Sequence, residues 1–190
     1  MDIPNLLTGV LGGIIGGACA VAAVIVQDWL NRRGQRENED RFVKGYLLAI
    51  RTEAEALWNR WNTTVGNMVA GLPPGQPLLA FYPVYQEYFN VYVGNAFMLG
   101  RVKDPELRSL IVKTYTLARG IIDSMRMNNE MNQKFENAMI LFQQTQLAVH
   151  QQQANAFHVS LVNYATALKG RHAELHDHID RLLRLIDGAA

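Results

Sequence analysis

Residues Leu6 to Val26 form one apolar run, LLTGVLGGIIGGACAVAAVIV, broken only by Thr8. About 20 consecutive apolar residues are what a helix needs to cross the hydrocarbon core of a bilayer. On that rule the run predicts a single N-terminal transmembrane helix. A secretory signal peptide is the alternative, and it requires a basic stretch before the apolar one. Here the chain opens Met1, Asp2, Ile3, Pro4, Asn5, while Arg32, Arg33 and Arg36 follow the run. The positive-inside bias then puts the short N-terminus outside and everything after the run in the cytoplasm. Trp29 falls where an aromatic ring would sit at the inner interface.

Inside the run, Gly9 and Gly13, Gly12 and Gly16, and Gly13 and Gly17 are each four apart. Small residues at that spacing let helix backbones approach closely in lipid, so these five glycines are expected to drive homo-oligomerisation. No charged side chain lies between Leu6 and Val26. A ring of such helices would enclose a narrow apolar lumen, gated by dewetting.

The domain plan is therefore an anchor over residues 1–30, a polar juxtamembrane bridge over 31–40, and a helical-bundle head over 41–190. The fold class is all-α. The net charge of +1 argues against wholesale nucleic-acid binding by the head. The one cysteine, Cys19, excludes an intrachain disulfide framework.

Within the head, Val43, Tyr46, Leu47, Ile50, Ala54, Leu57, Trp61, Val65 and Met68 recur at three- and four-residue steps and mark a first helix. GLPPGQP at 71–77 breaks it. A second helix is expected from about Leu78 to Leu99, crowded with Phe81, Tyr82, Tyr85, Tyr88, Phe89, Tyr92 and Phe97, which read as core. Asp104-Pro105-Glu106 reads as a helix cap with proline at the first helical position. The polar stretch Met127 to Gln133 is the expected turn before a fourth helix. Last comes a heptad seam, Leu161, Tyr164, Leu168, His172, Leu175, Ile179, Leu182 and Ile186, facing the core or another subunit.

His172 stands in that seam where an aliphatic residue belongs, beside Arg171, Glu174, His176, Asp177 and His178. One reading makes His172 a buried, hydrogen-bonded structural residue, with Arg171, Glu174, Asp177 and His178 as an ordinary solvated face. Another begins a metal site from His172 and His176, four apart, although no third ligand is evident and none is assigned. The third takes Arg171-His172-Ala173-Glu174-Leu175-His176 as an arginine, a polar residue, three more positions and a histidine.

That pattern resembles the active-site motif of HEPN-domain ribonucleases, all-helical proteins that pair their motifs across a dimer. The resemblance implies His176 as acid–base, Arg171 as the phosphate clamp and His172 as the polar residue after it. Histidine titrates near neutrality and arginine grips phosphate bidentately, so the chemistry is coherent. Anchor, helical head and this motif together resemble the membrane accessory proteins encoded beside the RNA-guided RNA nuclease in type VI-B CRISPR loci. By that resemblance the chain belongs in a bacterial inner membrane, as an oligomeric antiphage-defence effector or accessory that forms a pore or perturbs the bilayer. Its partners would be the lipid bilayer, further copies through the membrane helix and the seam, and RNA or a CRISPR effector protein. The alternatives are a membrane-tethered ribonuclease using Arg171 and His176, metal-independent, and a non-enzymatic scaffold that recruits a cytosolic partner. No cofactor is implied.

Overall fold

The computed structural model describes the backbone of residues 3–84 and 88–189, and side chains from Gln27 onward within those ranges. The described residues are helical or irregular, with no strand, as the all-α class requires. Helix α1 runs Ile3–Trp61, continues through a π-helical turn at Asn62–Gly66 and ends in α2, Asn67–Gly71. After an extended strap come two short helices, α3 (Asn90–Gly94) and α4 (Ala96–Leu99), then the long pair α5 (Pro105–Thr145) and α6 (Ala148–Ala189). The chain divides into two compact units, Met1–Gly45 and Tyr46–Ala190.

The expected transmembrane helix is corrected here: among the described residues, no helix is long and apolar enough to cross a membrane. Past Gln27 the reason is plain. Asp28, Arg32, Arg36, Asp40 and Lys44 follow one another at four-residue steps, and each would carry a heavy penalty in hydrocarbon. Residues 27–42 are exposed on all sides. Such a helix leans on local pairs, here Asp28–Arg32 at 2.8 Å, Arg33–Glu37 at 3.2 Å and the Arg33 guanidinium 5.7 Å over the Trp29 ring. The side chains of Leu6 to Val26, including Gly9, Gly12, Gly13, Gly16 and Gly17, lie outside the described ones.

The second unit is a three-helix bundle. Its core takes Trp61, Val65 and Val69 from α1, the π-helical turn and α2, Leu78 and Tyr82 from the strap, Ile121 and Met125 from α5, and Leu168, Leu175 and Ile179 from α6. Arg51 bonds Asp187 near one end and Lys169 bonds the carbonyl of Leu72 near the other, so α1 and α6 run antiparallel. The seam residues of α6 are buried within the chain, apart from half-buried Tyr164.

The π-helical turn explains one departure from the expected apolar stripe. It spends more residues per turn than an α-helix, so the buried face steps Trp61, Val65, Val69 and leaves Met68 54% exposed.

The expected second helix is helical only from Asn90, as α3 and α4, and the expected turn is absent, for one physical reason. Residues 78–82 do not begin a helix but form the extended strap, and 127–133 is not a turn but the middle of α5. Asn128 and Asn132, four apart on one face of α5, each donate to the carbonyls of both Leu78 and Ala80, at 3.1–3.3 Å. Asn129 accepts from the Tyr82 N–H at 3.1 Å and donates to its carbonyl at 2.7 Å. These amides supply the strap with the bonds that helix formation would otherwise provide. Asp104 caps α5 as expected, accepting from Glu106 and Leu107.

Candidate functional site

The seam histidine is built into α1. Trp61 folds its indole back over Gly66, and its Nε1–H donates to His172 Nδ1 at 2.9 Å. Nδ1 is therefore the acceptor, and the ring proton of the neutral imidazole sits on Nε2. Trp58, one turn earlier, stacks on His172 (centroids 5.2 Å apart, planes at 27°) and on His176 (5.3 Å, 18°). Tyr82 from the strap meets Trp61 edge-on at 5.5 Å. Burial is the main cause that holds the His172 imidazole below its ordinary pKa of 6.5, and the neighbouring His176 adds to it.

The three residues of the ribonuclease-like motif are placed differently from one another. His172 is buried. Arg171 turns to α5, where its Nη1 donates to Ser124 Oγ at 2.6 Å, and Ser124 in turn donates to the Gly120 carbonyl. His176 lies about half exposed on the α1 side, with Nε2 3.6 Å from Asp180 Oδ2. Five positions along a helix is about 140° around its axis, which is why Arg171 and His176 leave on different flanks of the seam. His178 and Glu174 meet through a ring nitrogen and a backbone oxygen of the same helix. Among the described residues, no three histidine, cysteine or acidic side chains gather as a metal would need.

A cavity of about 60 Å³ lies beside Trp58, between Trp61, Tyr82, Phe89, Tyr115 and Ile179. It is smaller than the engineered cavities of roughly 150 Å³ that admit benzene. Its walls are apolar, because the polar atoms around it are already engaged: Trp61 Nε1 with His172, and the Tyr115 hydroxyl with Glu53 at 2.8 Å.

Glu53 is the second polar centre, and sequence reading missed it. Besides Tyr115 it accepts from the backbone N–H groups of Val91 (2.7 Å) and Tyr92 (3.1 Å), which tie down the start of α3. Tyr92 stacks flat on Tyr115 at 4.2 Å. Burial, reinforced by Glu53, raises the Tyr115 phenol far above its ordinary range. The Tyr46 hydroxyl, buried with no hydrogen-bond partner among the described residues, is pushed up to about 12 by burial, then by Tyr92 and Glu53. An acid next to an apolar stripe, with Glu55 two positions on, gives no sequence signal of this kind.

No protein-family model matches this chain, and no curated protein or solved structure matches it either.

Proposed function

We propose that the helical head works without catalysis, as a scaffold that holds a partner protein. The observation that carries this reading is the divergence of Arg171 and His176. A phosphodiester-cleaving site needs its clamp and its acid–base within reach of one phosphate. Within one chain Arg171 is spent on Ser124, and His176 is stacked on Trp58 across the seam. The cavity alongside is too small for a nucleotide. The pore-forming effector is not carried forward, since it rests on a membrane-spanning helix.

The test is incubation of the purified full-length protein with labelled single-stranded RNA, wild type beside His176→Ala at matched oligomeric state. The scaffold reading expects no cleavage by either. Cleavage by wild type, lost in His176→Ala, overturns it and makes the head a ribonuclease.

A further inference from the structure

From Asn137 to Leu168, 32 consecutive residues contain no Asp, Glu, Lys or Arg. Most of the stretch is not buried. Up to Ser160 it forms the outer part of the α5–α6 hairpin, past the last asparagine that grips the strap, and its last residues, Leu161 to Leu168, enter the core seam. From residue 133 to 160 the fully buried side chains are Ala138 and Ala154, where the two helices touch. The outer hairpin is thus a pair of helices about 20 Å long, at 1.5 Å per residue, with one layer of internal packing. Around its turn Ile140, Leu141, Leu147, Val149 and Val159 are 41–58% exposed. The interleaved polar residues are chiefly six glutamines and three asparagines, with Thr145, His150, His158, Ser160 and Thr166 among them.

Exposed surface ordinarily carries about a quarter to a third ionic residues, whereas interface centres are depleted of them. The remaining parts of α5 and α6 obey the rule, with charges such as Arg119, Arg126, Glu130 and Lys134 on α5, and Glu174, Asp177 and Arg181 on α6. The outer hairpin does not. A bilayer is a poor occupant, because nine amides would need partners that hydrocarbon cannot supply.

We infer that the outer hairpin docks on the same hairpin of a second copy of this chain. A two-fold contact brings identical patches together, so it punishes any patch with net charge and tolerates one with none. A partner chosen by opposite charge would find nothing here to pair with. Glutamine and asparagine amides both donate and accept, so the surface can satisfy its own hydrogen bonds. Two hairpins side by side make a four-helix bundle, which covers apolar residues that one hairpin leaves open. This contact lies well away from the scaffold's Trp58–His172 cluster and stands whether or not the head is catalytic.

The experiment is sedimentation velocity on the full-length chain over a wide concentration range. Leu147→Lys and Val149→Lys are compared with Phe97→Lys, a charge on an even more exposed apolar residue outside the hairpin. Thermal melts by circular dichroism, at a dilution where wild type is monomeric, check folding, and these exposed sites should leave them unchanged. The expected result is a concentration-dependent dimer for wild type and Phe97→Lys, with self-affinity about a hundredfold weaker in both hairpin variants, or some 2.8 kcal/mol. Three results overturn the proposal. One is a wild-type monomer at every concentration, which leaves the face to a different protein. Another is hairpin variants as associated as wild type. The third is association lost in Phe97→Lys and kept in Leu147→Lys.

Discussion

The indole N–H of Trp61 donates to Nδ1 of His172 across 2.9 Å, in a pocket where Trp58 closes over the imidazole. A protonated His172 would present N–H to N–H at that contact, so the pair is compatible only with neutral imidazole. Its native pKa lies below the ordinary 6.5 through burial and the nearby His176. The unfolded chain therefore takes up a proton near pH 6.5 while the native state does not. The contribution is fully present above that pH and is lost as pH falls toward the native pKa. Melting temperatures measured from neutral to mildly acid pH should decline, and His172→Gln should flatten the decline. An unchanged slope in His172→Gln would refute this assignment.

Gly66 beneath Trp61 gives a prediction whose sign runs against helix propensity. Alanine is ordinarily better than glycine inside a helix by about 1 kcal/mol. Here an added Cβ would lie 2.6 Å from Trp61 Nε1 and 2.7 Å from Asn62 Oδ1. The indole must move, and with it the bond to His172. Gly66→Ala is expected to destabilise by about 1–3 kcal/mol in denaturant unfolding. A stabilised variant would mean that Trp61 is not held where the structure puts it.

What could be read from residue order was what repeats. The α6 seam follows the helical period over 26 residues, and the proline and acid at Asp104-Pro105-Glu106 announce a helix start through local bonds alone. The strap was not legible, because its stability comes from side chains some 50 positions away. Asn128 and Asn132 look like turn residues to any local rule, since asparagine is a poor helix former. Their four-residue spacing was the available clue that both face one neighbour. The Arg171–His176 motif shows the opposite fault. Its spacing was visible, but the partners that separate the two side chains, Ser124 and Trp58, sit on other helices.

The strap offers a direct test of that long-range dependence. Asn132→Ala removes two donated bonds, to Leu78 and Ala80, and leaves both buried carbonyls reliant on Asn128. A lost bond to a buried carbonyl costs about 1–3 kcal/mol. Limited proteolysis should then cut within residues 72–84 faster than in wild type, while α5 and α6 stay intact. If the strap resists protease equally well in Asn132→Ala, the asparagines do not hold it.

Glu53 draws Tyr115 and the first turn of α3 to α1 through three acceptor contacts. Phe89, just before α3, has a left-handed backbone (φ 69°), a conformation an aromatic residue adopts only when its surroundings impose it. Its ring is imposed on by Tyr115, edge-on at 5.3 Å, so Glu53 sustains the strain at one remove. Hydrogen bonds to a carboxylate are the strong kind, contributing about 1.5–3 kcal/mol. Glu53→Gln keeps the size and one acceptor oxygen but discards the charge, and turns an NH₂ toward donors. It should lower stability by about 2 kcal/mol. It should also lower the pH at which Tyr115 ionises, though not to the ordinary tyrosine value, because burial is the larger cause and remains. Ultraviolet titration of the phenolate, with Tyr115→Phe to assign the signal, measures that shift. A Tyr115 titration unmoved by Glu53→Gln would show that burial alone governs the phenol.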